Sequence, residues 1–347
     1  MRTTFTGSRM PAAALAAVLL LAACGSQGTP QGSDGSAADP SASSAPEGEA
    51  DKQFTIASTS FGLSSVPLLA ALDAMREDGY VIEYPALTGP DLVAEGMVRN
   101  DFQFGVVGVG AISVAIQEGA PIKNVMSQFA NPWFMYATND VEACADLAGK
   151  RLAIHSEQST SAAFGFDWIE DECPGTEPEV LVIPGSENRY AAMIAGEVDA
   201  SAVEIADAVA LEDEAGDRFH QLVSFAETLP DILTTTYAVN TDFASENPQA
   251  VVDLLTAVLE QHRMIDEDPA YFAGLVEEYR PYIGGVVTDR AIELQQELFQ
   301  TDGGFIEEYV AATIAFFEDA GSLEPGLTVA DIADFSYLEE ALGATGG

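Results

Sequence analysis

The chain has 347 residues and carries 56 Asp+Glu against 13 Lys+Arg, a formal net charge of −43. So few cations cannot make the basic face that phosphate binding requires, so no nucleic acid partner is expected. Hydrophobic residues make up 48%, with only 3 Cys and 3 His, which fits a globular body and argues against a cysteine-rich scaffold or a histidine metal cluster.

Arg2 and Arg9 are the only charges near the start, and Met10 to Ala23 is apolar and rich in Ala and Leu. That run is about 14 residues, short of the roughly 20 that span a bilayer. A positive start, a short apolar run and small residues mark residues 1–23 as a secretory signal peptide. Leu21-Ala22-Ala23-Cys24 resembles the bacterial lipobox. The resemblance implies that the chain is cut before Cys24 and that this thiol carries lipid (palmitate among its acyl groups), which anchors the protein to the outer face of the cell membrane. Residues 24–51 are mostly Gly, Ser, Ala, Pro, Gln and a few acids. They cannot bury enough apolar surface to offset their ordering entropy, so they read as a disordered tether. All 56 acidic residues and 11 of the 13 basic ones follow Cys24, leaving the mature chain at −45. This acidity fits solubility, and a salty habitat would account for it.

From residue 52 the pattern alternates strands and helices. Phe54–Ala57, Tyr80–Tyr84 and Phe102–Val107 read as strands. Between and after them, helices are expected from Pro67 to Gly79, over Asp91–Arg99 and over Ala111–Glu118. Ile122–Phe129 and Trp133–Thr138 read as further strands. A second set begins at Asp146, with strands at Arg151–Ile154, Val180–Ile183, Ala200–Val203 and Phe219–Phe225. Its helices are expected over Ser159–Asp171, Glu187–Ala195 and Ile205–Glu214. Leu233–Val239 is extended again, and Pro248 to about Ala320 is mostly helical. Such alternation predicts mostly parallel sheets with helices on both faces.

Roughly 295 residues are more than one core usually spans, so two lobes are expected. Two internal echoes suggest their boundaries. "YATND" (136–140) and "YAVNTD" (237–242) each close an extended run. If they mark the crossings, one lobe comprises 52–138 and 237–347 and the other 139–236. "MVRNDFQFGVV" (97–107) and "MIAGEVDASAV" (193–203) each read as a helix, a Gly or Asn turn and a strand, the same strand of each lobe. Cys144 and Cys173 are expected to pair outside the cytoplasm, closing a loop of about 30 residues worth roughly 3–4 kcal/mol.

Several segments in this order resemble the solute-binding proteins of bacterial ABC importers, in the branch of nitrate, sulfonate, taurine and thiamine-precursor binders. They are the lipobox and tether, "NDFQFGVVGVGAISVAIQEGAPIKNV" (100–125), "DLAGKRLAIHSEQST" (146–160), "MIAGEVDASAVE" (193–204) and "VADIADFSYLEEAL" (329–342). The resemblance covers about 52–342. It implies two doubly wound α/β lobes joined by two hinge strands, the type II periplasmic-binding-protein fold, with a helical C-terminal extension on the first lobe. The partners implied are a small-molecule solute, an ABC permease with its ATPase, and the membrane through the lipid anchor; the protein itself is expected to be a monomer. The chain departs from the branch's pattern at Ile205, where Pro is frequent after Glu204, and at His155, in a loop often rich in Gly and Ser.

In such a fold the loops after the C-terminal strand ends face the cleft. Four qualify. Ser58, Thr59, Ser60 and Phe61 supply hydroxyls and a ring. Gly108, Val109 and Gly110 let backbone approach a ligand closely. His155 begins the loop that leads through Ser159, Thr160 and Ser161 into a helix, whose free N–H groups favour an acceptor. Glu204 ends the fourth with a carboxylate. Trp133 offers a ring for stacking, and Asn188 starts a helix of the second set, next to Arg189. Ser159 or Thr160 also suits a helix cap, and Glu204 an inter-lobe pair.

With almost no cation in these loops, the set fits a small polar organic solute, heteroaromatic or nitrogenous. An anion of the nitrate or sulfonate type is the alternative, since helix N-termini bind oxyanions unaided. The motifs G-x-S-x-G, H-E-x-x-H and G-x-x-x-x-G-K-[ST] are absent, and His155, His220 and His262 lack metal-ligand spacing. No cofactor, metal or catalytic residue is therefore expected. A thiamine-pyrimidine-synthase-like enzyme and a sensory or adhesion ectodomain are the rival readings.

Overall fold

The computed structural model describes residues 52–345. The expected signal peptide (1–23), Cys24 and the tether (24–51) lie outside the described residues. The first stretch runs β1 (Gln53–Ser58), α1 (Val66–Glu77), β2 (Val81–Glu83), α2 (Pro90–Val98), β3 (Phe104–Gly108), α3 (Val109–Gln117) and β4 (Ile122–Ser127). Next come β5 (Trp133–Thr138), β6 (Arg151–Ile154), α4 (Thr160–Glu172), β7 (Glu179–Val182), α5 (Ser186–Ile194), β8 (Ala200–Glu204), α6 (Ile205–Ala215), β9 (Phe219–Ser224) and α7 (Phe225–Thr228). β10 (Thr235–Asn240) is followed by helices alone: α8 (Thr241–Glu246), α9 (Pro248–Glu267), α10 (Pro269–Tyr279), α11 (Asp289–Gln296), α12 (Glu307–Asp319), α13 (Val329–Ile332) and α14 (Ser336–Ala344).

Local chemistry explains the main elements. Pro67 sits in the first turn of α1, where a missing N–H costs nothing, and Leu68, Leu72 and Met75 bury one face. β3 is buried at its first four positions, as an interior parallel strand covered on both faces must be. Asn100 and Gly196 end α2 and α5 in the left-handed region, with φ of 58° and 71°. Asparagine and glycine are the residues that tolerate it.

The strands form two five-stranded sheets, in the orders β2-β1-β3-β10-β4 and β7-β6-β8-β5-β9. The two orders are alike. In each, the first three strands are parallel and the fourth runs antiparallel between its neighbours. The chain thus exchanges one strand between sheets. This corrects the expected first crossing, because Trp133–Thr138 pairs with β8 and β9 and belongs to the second sheet. The crossing falls earlier, between Ser127 and Trp133, and the return falls between Thr228 and Thr235. The "YATND" and "YAVNTD" echo marks the two exchanged strands, not the crossings. The other echo holds the third strand of each sheet, β3 and β8.

Asn131 ties the crossings together. Its buried amide nitrogen donates to the carbonyls of Phe225 (3.1 Å) and Leu229 (3.2 Å), and its oxygen accepts from the Trp133 N–H at 3.1 Å.

The C-terminal helices pack chiefly on the first sheet's side, with α9 lying along α1 and α14 along α9. They also touch the second. α11 lies against α6, where Arg290 pairs with Glu212 at 2.7 Å. The Phe316 ring of α12 meets the Phe164 ring of α4 edge-on at 5.3 Å.

Cys144 and Cys173 form a disulfide, 29 residues apart in sequence, that ties the approach to β6 to the end of α4. Constraining that loop in the unfolded chain is worth about 3–4 kcal/mol. The double variant Cys144→Ala/Cys173→Ala is expected to lose that much stability in urea unfolding. Identical unfolding curves with and without the bond would contradict the assignment.

Candidate functional site

The carboxyl ends of the parallel strands of both sheets meet across one cavity of about 80 Å³. The first sheet contributes Thr59 and Ser60 after β1, and Gly108 at the end of β3. The second contributes His155 after β6 and Glu204 at the end of β8. Strand register completes the walls, because Thr235 lies opposite Gly108 and Trp133 opposite Glu204. Ser159, Thr160 and Ser161, where α4 begins, close one side.

Nine of the expected site residues therefore share this cavity, and five do not. Ser58 is buried and donates its hydroxyl to the Ser60 carbonyl at 3.2 Å. Phe61 turns away, with its ring 4.5 Å from that of Tyr84, and lines a neighbouring chamber. Val109 and Gly110 are not a loop but the buried first turn of α3. A Cβ on Gly110 would stand 2.8 Å from the Phe317 ring, so this glycine serves close packing and not ligand approach. Asn188 is exposed and donates to the Pro184 carbonyl at 2.7 Å.

The sequence reading missed Pro90, Ser186, Thr234 and Thr235; Ala111 and Gln158, which also line the cavity, lie in two of the loops it expected to face the cleft. Ser186 had a signal, since it follows β7 as Ser60 follows β1. Thr234 and Thr235 enter an antiparallel strand from its amino end, which the parallel-strand rule does not reach.

One side of the cavity presents hydrogen-bond donors. The Ser159 hydroxyl donates to the Ser156 carbonyl at 2.8 Å and makes no cap on α4. The N–H groups of Thr160 and Ser161 have no acceptor among the described residues. His155 Nδ1 accepts the Gly185 N–H at 3.3 Å. That bond places the ring proton on Nε2, which is buried without a partner among the described residues. Burial, helped by the nearby Arg189 charge, pushes the His155 pKa down to about 4, so the ring is neutral near pH 7. The Thr234 hydroxyl, on a residue 1% exposed, is also unpartnered.

The other side holds charge. Arg189 of α5 is 1% exposed and lies with its guanidinium carbon 5.8 Å from the centre of the Trp133 ring. Its Nε donates to Ser201 Oγ at 3.1 Å and the Ala202 carbonyl at 3.2 Å, and its Nη1 to the Ile183 carbonyl at 3.3 Å. Burial lowers its pKa to about 10, so it stays cationic. The Glu204 carboxylate accepts no hydrogen bond from the described residues; only its backbone N–H is engaged, by Ser186 Oγ at 3.2 Å. Burial, then the neighbouring Asp207 charge, raises Glu204 to about 7, against the pull of Arg189. Asp207, in the first turn of α6, is raised to about 6 by burial, against a hydrogen bond from Ser186.

The sequence model of a family described as NMT1/THI5 like matches residues 77–271, more than half of the chain. The chain belongs to the NMT1/THI5-like family. No curated protein matches it in sequence. Among solved structures, the alkanesulfonate-binding protein SsuA of Xanthomonas axonopodis pv. citri, bound to MOPS, has a TM-score of 0.67 at 15% identity, over 82% of this chain and 99% of that one. The periplasmic nitrate-binding protein NrtA of Synechocystis PCC 6803 has a TM-score of 0.68 at 12% identity, over 85% and 89%. A Candida albicans protein with the generic periplasmic binding protein fold has a TM-score of 0.62 at 14% identity, over 84% and 95%. At such identities the likeness concerns the fold. This NMT1/THI5-like chain has the two-lobed periplasmic-binding-protein architecture.

Glu204 is protonated more readily in the folded protein than in the unfolded chain, where a glutamate titrates near 4.5. Its protonated form therefore stabilises the fold at low pH, and that contribution is lost as pH rises from about 5 through 7. Glu204→Gln is expected to raise the unfolding free energy at pH 8 by about 1–2 kcal/mol, the cleft's solvent screening part of the charge penalty. At pH 4 the gain should vanish. Thermal melts at the two pH values check both signs.

Proposed function

We propose that this chain is the extracytoplasmic solute-binding component of an ABC importer, capturing a small polar organic solute and delivering it to a permease. One observation carries the reading: a single cavity takes its walls from both sheets, through residues that leave hydrogen-bonding groups without protein partners. Thr59, Ser60, Gly108 and Thr235 stand on one side, and Trp133, His155, Thr160 and Glu204 on the other. A solute touching both walls favours the closed arrangement by its differential affinity.

Family membership and the solved neighbours support the same reading, since the alkanesulfonate- and nitrate-binding proteins share the fold. The donor side suits a carbonyl, ring nitrogen or other acceptor, and the Trp133 face suits a flat or apolar body. Lipidation of Cys24 would hold the body at the membrane, with residues 24–51 as its leash and a permease–ATPase pair as the partner. No bond is made or broken in this scheme, and the protein works as a monomer.

Native mass spectrometry of the purified protein is expected to show a co-purified small molecule. Calorimetry with that compound should give 1:1 binding, and X-ray scattering a smaller radius of gyration in its presence. Glu204→Gln should weaken binding about tenfold, as for loss of a hydrogen bond to a charged group. Ser159→Ala should weaken it by a smaller factor. Unchanged affinity in both variants would remove the cavity from consideration, and an unchanged radius with bound solute would remove capture by closure.

A further inference from the structure

A second, smaller chamber, of about 40 Å³, opens beside the first and shares Ser60, Ser186 and Glu204 with it. Its character is different. Glu187 and Asp207 join Glu204 on its wall, and the loop Gly284–Val287 and Gln295 of α11 face them. Gln295 is 1% exposed, yet its side-chain nitrogen Nε2 is buried with no hydrogen-bond partner among the described residues. A buried amide nitrogen without a partner is rare in a folded protein and calls for an explanation.

The local charge is unbalanced. Three carboxylates face one guanidinium; Arg189 spends its Nε and Nη1 on Ser201, Ala202 and Ile183, and its Nη2 is buried without a partner among the described residues. Arg280, the next cation, reaches only the Gly285 carbonyl, at 3.5 Å. An anion entering here would meet carboxylates. A cation would replace the missing counter-charge and supply N–H donors to the Glu204 carboxylate, which has none among the described residues.

We infer that this chamber is the subsite for a positively charged nitrogen group of the solute, an amidinium or ammonium, gripped by Glu204, Asp207 and Glu187 with the Gln295 amide. The inference rests on the import reading and deepens it. The solute is then an organic cation whose charged end enters the inner chamber, while an acceptor on its other end meets the donors at the start of α4. Holding the cation requires a flip of the Gln295 amide that brings its oxygen to the place where Nε2 now lies buried, a change that the similar shapes of the C=O and NH2 ends allow.

The closing experiment compares acetamidinium with acetamide, its uncharged near-isostere, by NMR titration of the purified protein. At pH 8 acetamidinium should bind at least tenfold tighter. Glu204 faces Asp207, Glu187 and Arg189, and it must be ionised to hold the cation. Binding at pH 6 should therefore be about tenfold weaker than at pH 8, since a carboxyl titrating near 7 is then mostly protonated. The Glu204→Gln/Asp207→Asn variant should bind both probes alike. If that variant does not fold, Glu204→Gln alone should cut the preference at least threefold.

Equal affinities for the two probes, or a preference that survives the substitutions, overturns the inference. A co-purified neutral or anionic solute that contracts the protein in scattering also overturns it, while leaving the import reading intact. A preference for acetamidinium without contraction by any bound solute upholds the subsite and removes the import reading instead.

Discussion

One buried amide fixes where the two sheets meet. Asn131 bonds to the chain leaving the second sheet while its own segment enters that sheet, so both crossings are held at one place. An apolar side chain of the same size would leave the Trp133 N–H without a partner in the interior, at a cost of about 1–3 kcal/mol, and would leave the Phe225 and Leu229 carbonyls only their local donors, the N–H groups of Leu229 at 2.9 Å and Ile232 at 3.4 Å. The cavity depends on this pin. Trp133 begins two residues after Asn131, and the Thr234 carbonyl near the second crossing accepts the Val109 N–H at 2.9 Å and the Thr160 hydroxyl at 3.4 Å. The walls and the crossings are built from the same few residues.

Strand exchange explains why the walls match. Each sheet takes its fourth strand from the chain that has just left the other, and that strand runs antiparallel. An antiparallel neighbour brings its amino end to the carboxyl end of the parallel strand beside it. Thr235 therefore arrives at Gly108, and Trp133 at Glu204. A ring and a hydroxyl are added to an edge that parallel strands alone would have furnished with loops.

Much of this was legible in the sequence, for physical reasons. Apolar runs and Gly or Asn turns set the strands and helices almost to their ends, because parallel interior strands and amphipathic helices leave strong patterns. The pairing of Cys144 with Cys173 followed from compartment and count. Strand membership was not legible at β5, since Trp133–Thr138 reads alike whichever sheet it joins. The Gly108-Val109-Gly110 run misled for a similar reason. Two glycines permit a loop, but here α3 starts at once, and the space at Gly110 is used by Phe317, a residue 207 positions away. Gln295 left no local signal at all; it reaches the inner chamber only because α11 folds back against α6.

The distribution of charge gives the site its logic. The chain after Cys24 is strongly acidic, and Arg189, the cation nearest Glu204 among the described residues, is buried with its Nε and Nη1 on carbonyls and a hydroxyl and its Nη2 without a partner, instead of being offered to solvent. Near neutral pH His155 adds no charge, for burial and Arg189 both oppose its protonation. Arg189 therefore acts as internal ballast. Its charge draws the Glu204 and Asp207 carboxyls toward ionisation while their burial resists it, and the two effects leave both groups titrating near 6 to 7. Removing the guanidinium would favour protonation of both. Fully solvating the carboxylates would leave them ionised but satisfied by water. Between these limits, both carboxyls are held close to ionisation, and Glu204 has no donor among the described residues, a state in which a modest binding contribution from a solute changes its protonation.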